Sequence, residues 1–221
     1  YHRTRLALGA SNVYVATCDQ VIADYITSLG GQVVMTSPLH DRASTRTAEA
    51  IEIIENKTQK TVDIAVMVQG DEPIISPDIV KGTLPHFDNE SVQIVNIMSE
   101  INSKDVFYDH NNVKVVVDHE CNALYFSREP IPSPWKGWEQ LPRYMQTGII
   151  AFRREALMNF NNMSETDLEK YESVDMNRIL ETGGSIRMVA TGDFTLGVDT
   201  KEDLELAETF LKTDKLVEGY L

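Results

Sequence analysis

Residues 64–73 read IAVMVQGDEP, a run of five apolar residues that breaks off into an amide, a glycine and two carboxylates, Gln69, Gly70, Asp71 and Glu72. Carboxylates are hard oxygen donors of the kind that hold divalent cations such as Mg²⁺, so Asp71 is the first candidate for a metal-holding group. Gly70 lets a ligand approach the backbone closely. A plain strand-to-loop turn accounts for Gly-Asp as well. A second group lies in SPLHDRASTR, residues 37–46. Arg42 and Arg46 fall near the start of a predicted helix, where cations oppose the helix dipole unless an anion is close. Solvated surface arginines are the competing reading. His40 reads as a structural or surface loop residue.

Chemistry of this kind needs a scaffold. An apolar run that is short, not alternating and bounded by turn residues suits a strand buried on both faces. Ligands of open α/β sheets bind beyond the carboxyl ends of such strands. Helical pattern covers residues 1–8, 20–29, 77 onward, 104–108, 153–160, 168–180 and 201–211, with Gly9 and Gly30-Gly31 as stops. Ser44 or Thr45 is the expected cap of the helix after the arginine loop, and Ser76-Pro77 marks another helix start. Capping boxes are expected at Ser164/Asp167 and Thr200/Asp203. Strands are expected at 13–17, 32–36, 64–68, 92–98, 145–152 and 185–190, with 113–117 and 123–126 forming an antiparallel hairpin. The alternation predicts an α/β fold with a mixed, mainly parallel sheet flanked by helices, and an antiparallel subregion at 92–152. The stretch 127–142, with four prolines and two tryptophans, reads as an ordered loop.

A chain of 221 residues buries a core as one domain. Its 34 acidic against 20 basic residues, a net charge of −14, leave no basic stripe for nucleic acid. No apolar run has the length of a membrane-spanning helix, and no signal-peptide pattern opens the chain. Cys18 and Cys121 read as reduced thiols, so a cytoplasmic protein is expected.

Five segments taken together resemble the CMP-Kdo synthetases, the 3-deoxy-manno-octulosonate cytidylyltransferases. They are VYVATCDQVIADYITSLGGQVVMTS, VQGDEPIISP, VKVVVDHECNALYFSREPIP, TGIIAFRRE and LGVDTKEDLELAE. The resemblance implies a Rossmann-like nucleotide-diphospho-sugar transferase fold, a homodimer, and Mg²⁺-dependent coupling of CTP to a Kdo-like sugar acid with release of pyrophosphate. It implies Asp71 and Asp199 as the metal-binding and catalytic carboxylates. It places Ala43, Ser44 and Arg46 at the nucleotide, and Gln69, Arg128, Gln146 and Glu172 at the sugar acid. The chain departs from the family pattern at Arg42, Ala43 and Thr45. It departs again at Gln146, where His or Tyr is usual, and at Met176, where Gln is usual. Another acid sugar, a nonulosonate or amino-Kdo, is therefore an alternative substrate. The family's opening strand and Arg/Lys-rich triphosphate loop have no counterpart in these 221 residues. The expectation is a single domain lacking that segment and inactive without it, with a non-catalytic nucleotide- or sugar-binding homologue as the second alternative. A dimer contact is expected near 113–138.

Overall fold

The computed structural model describes residues 1–193 and 195–220. In chain order the elements are α1 (His2–Leu8), β1 (Tyr14–Thr17), α2 (Gln20–Ser28), β2 (Gln32–Met35), α3 (Ala43–Thr58) and β3 (Ile64–Val68). Next come α4 (Pro77–Gly82), β4 (Ile94–Glu100), α5 (Lys104–Tyr108), β5 (Lys114–Val117), β6 (Ala123–Ser127) and β7 (Tyr144–Arg153). The chain finishes with α6 (Arg154–Asn162), α7 (Asp167–Glu172), α8 (Met176–Glu181), β8 (Arg187–Thr191) and α9 (Lys201–Leu211). β1 and β2 form a parallel pair, and the other six strands form one sheet.

The organising strand is β7. One of its edges carries β4 along nearly its whole length, and β4 in turn pairs with β8 in parallel. Its other edge is shared. β3 covers residues 149–153, β5 covers 144–145, and β6 closes the hairpin beyond β5. These pairings make β3, β4, β5 and β8 run one way and β7 the other. The sheet is thus mixed, with most strands codirectional and β7 inserted among them in reverse.

Alternation along the strands explains why residues 64–68 lack a polar face. Ala65 and Met67 of β3, Ile150 and Phe152 of β7 and Met188 of β8 join a core with α3, α6 and α8. Val66, Val68, Ile149 and Val189 point the other way, against Ala7 and Leu8 of α1 and Ile79 and Val80 of α4. Both sides are covered, so both need apolar residues.

Three local expectations are corrected. α3 begins after Arg42, which offers no side-chain cap; Ser44 lies inside the helix, and Thr45 Oγ1 donates back to the Arg42 carbonyl at 3.0 Å. The helix expected over 168–180 is two helices, because Ser173 adopts a left-handed φ of 52° and ends α7. Its first turn is closed by the Thr166 N–H, which donates to Glu169 Oε2 at 3.3 Å, and not by Ser164 and Asp167. Glu169 is then fully buried, its carboxylate accepting from Arg178 Nε at 2.6 Å and Nη2 at 2.5 Å. Ser76 and Thr200 cap α4 and α9 as expected. The loop 127–142 is ordered around Trp138, which meets Phe107 edge-on at 5.4 Å and carries the Arg143 guanidinium 4.1 Å from its ring centre.

Candidate active site

The shared edge of β7 creates a seam. β3 leaves at Gln69, whose N–H still donates to the Gly148 carbonyl at 3.0 Å, and β5 takes over where the Gln146 N–H donates to the Val113 carbonyl at 2.8 Å. Between them the backbone at Thr147 and Gly148 has no neighbouring strand on that edge among the described residues, and the segment after β3 supplies partners instead. Glu72 Oε1 accepts the Gly148 N–H at 2.8 Å. On the opposite edge, the side-chain amide of fully buried Asn96 donates to the Thr147 and Ile149 carbonyls at 3.2 and 2.9 Å, beside an irregularity in the β4–β7 register. Gly148 is required sterically: a Cβ there would lie 2.9 Å from Gln69 Cβ.

Asp71 and Asp199 come together at this seam. The Val198 N–H donates to the Asp71 carbonyl at 2.9 Å, pinning the approach to α9 onto the turn after β3. Desolvation, and then the charge of Asp199, raise the Asp71 carboxyl above its ordinary range, although its own backbone N–H opposes the shift. Glu72 is raised too, by burial first and then by Asp71 and Asp199, against the Gly148 hydrogen bond. Glu72 Oε2 is buried without a partner among the described residues. Sequence reasoning quoted Glu72 but gave it no role; its signal was the second carboxylate of the motif.

Like charges gathered at a strand end are what a divalent cation would relieve. No group of three His, Cys, Asp or Glu side chains forms a metal cage among the described residues. The pair Asp71 and Asp199 fits a cation such as Mg²⁺ by its chemistry, since Mg²⁺ takes one or two carboxylates and completes its shell with water and phosphate oxygens.

The remaining candidate residues divide. Gln146 lies at the seam with a buried Oε1 that has no partner among the described residues, and the Gln69 stem packs under Gly148. Glu172 and Arg128 are next to each other but engaged. Glu172 accepts from Tyr125 Oη (2.7 Å), Ser127 Oγ (2.8 Å) and the Arg128 N–H (2.8 Å). Arg128 donates to the carbonyls of Glu172, His110 and Ser173 at 2.8, 2.9 and 3.4 Å. Burial pushes the Tyr125 phenol up to about 12, reinforced by Glu172. On the arginine loop, Arg46 donates to Thr36 Oγ1 at 2.6 Å and to the Ser37 carbonyl at 3.2 Å. One anion within reach of the Arg46 charge is Glu49, which accepts the Ser37 N–H at 2.8 Å and pairs with His40 Nε2 at 2.5 Å. Ser44 is fully buried and donates to Asp175 Oδ2 at 2.6 Å, so any nucleotide contact at Ala43 and Ser44 falls to the backbone. Arg42 reaches the Ser173 carbonyl and hydroxyl at 3.3 and 3.2 Å. The arginine loop is therefore tied to the α7–α8 junction.

A mixed sheet between helical layers, with carboxylates just beyond the carboxyl end of β3, is the nucleotide-diphospho-sugar transferase fold of the nucleotidyltransferases. The family model for cytidylyltransferases matches residues 1–187. A 3-deoxy-manno-octulosonate cytidylyltransferase of Flavobacterium johnsoniae is 38% identical over 204 residues, covering 91% of this chain and 81% of the relative. One of Geobacter metallireducens is 38% identical over 216 residues, covering 93% and 83%. The solved structure of a CMP:2-keto-3-deoxy-manno-octonic acid synthetase complexed with CTP aligns with a TM-score of 0.84 at 32% identity, over 96% of this chain and 85% of that one. A 4-diphosphocytidyl-2C-methyl-D-erythritol synthase from Anaerococcus prevotii shares the fold alone, at a TM-score of 0.56 and 13% identity over 88% of this chain and 77% of that one. The chain belongs to the cytidylyltransferase family, within the 3-deoxy-manno-octulosonate cytidylyltransferases. No helix among the described residues is long and apolar enough to cross a membrane.

Proposed function

We propose that this protein transfers CMP from CTP to a Kdo-like 2-keto sugar acid, releasing pyrophosphate, with Asp71 and Asp199 holding Mg²⁺ between the substrates. What supports the assignment is the backbone bond from the Val198 N–H to the Asp71 carbonyl, which holds the residue next to Asp199 against Asp71, together with the effect of the Asp199 charge on the Asp71 carboxyl. When bound, the metal neutralises phosphate charge and orients the reactants. The chain's own part is positional. The turn after β3 presents Asp71, and the Thr200/Asp203 capping box fixes the backbone at Asp199, whose N–H donates to Asp203 Oδ2 at 3.2 Å. Gln69 and Gln146 line the sugar side; the buried Gln146 Oε1 accepts a donor from the sugar acid. Arg128 grips the sugar carboxylate after exchanging its carbonyl partners for it, and Glu172 fixes the backbone that carries Arg128. Arg46 and the backbone at Ala43 and Ser44 face the nucleotide. The attack is in line: the anomeric hydroxyl of the sugar joins the α-phosphorus of CTP as the bond to pyrophosphate breaks, and the hydroxyl proton leaves to solvent.

The Gln146 Oε1, without a partner among the described residues, also admits a variant of the same activity, because an ammonium or amide N–H of an amino-substituted acid sugar would satisfy it as well as a hydroxyl. The enzyme works in the cytoplasm as a homodimer. Exposed Leu124 (60%) and Trp135 (87%) in the region 113–138 supply apolar contact surface for a second copy.

The test is pyrophosphate release by the full-length protein with CTP, Mg²⁺ and a panel of acid sugars that includes Kdo and its amino-substituted form. Release with one sugar, abolished by a chelator, is the expected result. Silence across the panel, with CTP still raising the melting temperature, would make the protein a binding homologue.

A further inference from the structure

α9 begins two residues after Asp199, and its one buried residue is Ala207. Leu204 and Leu206 are about half exposed, at 48% and 50%. With so little of its surface in the core, the helix depends heavily on what fastens its ends. Its N-terminal end is fastened by the Val198–Asp71 hydrogen bond and the Thr200/Asp203 box. Its far end is fastened by Asp214, which forms an ion pair with Arg3 of α1; the two side chains are only 13% and 6% exposed. Arg3 does not stop there. Its Nη1 donates to the carbonyls of Ile74 and Ile75, at 3.2 and 2.9 Å, three and four residues beyond Asp71. The contacts thus close a ring: from Asp71 to Val198, along α9 to Asp214, through Arg3 to Ile74 and Ile75, and back to Asp71. The segment after Asp214 adds a further tie, since the Tyr220 ring stacks on His2 at 4.8 Å with an interplanar angle of 2°.

We propose that the Arg3–Asp214 pair is a positioning clamp that seats α9 against the turn after β3, so that Asp199 stands opposite Asp71 for the metal. The clamp touches neither substrate nor cation. Arg3 suits the task because its planar guanidinium serves a carboxylate and two carbonyls at once, which a lysine ammonium cannot match in that geometry. The proposal rests on the two-carboxylate reading of the site, and its test separates the two.

The experiment measures Mn²⁺ binding to the full-length protein by the electron paramagnetic resonance signal of the free ion, together with hydrogen exchange of the amides of 201–211. The variants are Asp214→Asn, Asp199→Asn, their combination, and Arg3→Lys. Asp214→Asn keeps the shape of the side chain and leaves Arg3 bonded to Ile74 and Ile75. It is expected to weaken Mn²⁺ binding about tenfold and to speed exchange throughout α9. In the Asp199→Asn background the same change is expected to alter binding less than about twofold, because the residue it positions is already gone. Arg3→Lys retains the charge and is expected to fall between native and Asp214→Asn; it carries the test if Asp214→Asn does not fold. Native Mn²⁺ affinity in Asp214→Asn, with affinity lost in Asp199→Asn, overturns the clamp and leaves the site intact. An equal effect of Asp214→Asn in both backgrounds reduces the pair to a structural contact and also overturns it. Native affinity in Asp199→Asn instead removes the two-carboxylate reading, and the clamp as proposed falls with it.

Discussion

Replacing Gly148 by alanine tests whether the seam in β7 sets the geometry of the site. An added Cβ would lie 2.9 Å from Gln69 Cβ and 3.2 Å from both Gln69 Cγ and Cδ. The nearest atom is the first of the Gln69 side chain, which cannot swing away without moving its backbone. Ordinary carbon–carbon contact lies near 3.5–4.0 Å, so the two chains must part by about 0.6–1.1 Å. Gln69 opens the turn that carries Asp71, and Gly148 itself is held by the Gln69 N–H and by Glu72. A displacement on the order of 1 Å in a positioning element costs up to about 10²-fold in rate, so turnover of Gly148→Ala is expected to fall about 10- to 100-fold. Overpacking of this kind costs about 1–3 kcal/mol, or about 2–4 °C in melting temperature per kcal/mol for a domain of this size. Pyrophosphate release at saturating CTP measures the first effect, and thermal unfolding the second. Adding Gln69→Gly should return the lost stability, since it removes the colliding atom, without returning turnover. Turnover within about threefold of native in Gly148→Ala would refute the reasoning, because the seam would then tolerate the shift that the distances demand.

Asp71→Asn and Asp199→Asn are each expected to lower turnover by at least about 10²-fold with little loss of melting temperature, since each removes one of two mutually repelling charges. Asn96→Ala should cost about 1–3 kcal/mol in denaturant unfolding, because it strands the Thr147 and Ile149 carbonyls inside the sheet. Arg178→Met leaves the Glu169 carboxylate buried without its partner and should cost about 3–5 kcal/mol, much of it recovered in the double variant Arg178→Met/Glu169→Leu. Stability should decline as pH falls through the acid range. Glu55 is held below its usual value chiefly by the two-pronged Arg154 bond, and Asp214 is held low by Arg3 and the Leu216 N–H despite burial. Both carboxylates bind protons more readily in the unfolded chain, so their contribution is present above the unfolded values near pH 4 and is lost below them. Asp175, raised mainly by burial, works in the opposite direction. Melting temperature followed from pH 6 to pH 3 checks the balance, and Glu55→Gln should flatten the profile.

Local signals carried most of the elements. Ser76-Pro77 and Thr200/Asp203 start helices where their cap chemistry says they should, and the hairpin at 113–126 forms as its pattern indicates. The failures lie where a tertiary partner overrode a local preference. Ser44 is a good N-cap by type, yet its hydroxyl serves Asp175, a residue supplied by the α7–α8 junction. Residues 168–180 keep a helical period, yet the chain breaks at Ser173, whose carbonyl and hydroxyl are taken by Arg42. No window of sequence contains both members of such a pair.

The sequence offers Asp71 as a candidate, whereas it offers no sign of the seam. Asp71 follows an apolar run, and the end of a buried strand is a place where a carboxylate meets solvent. The seam depends on β7 being long enough to serve β3 with its second half and β5 with its first, which is a matter of register and not of residue type. The pattern TGIIAF read correctly as a strand, but nothing in it says that the strand runs against its neighbours. Had β7 run with them, Gln146 and Gly148 would have fallen on the far side of the sheet from the end of β3. Reversal puts the early residues of β7 beside the late residues of β3, and so brings Gln146, Gly148, Gln69 and Asp71 to one edge. That is why a glycine with no unusual φ is needed at 148, and why the fold itself, more than any motif, puts the two carboxylates where a cation could join them.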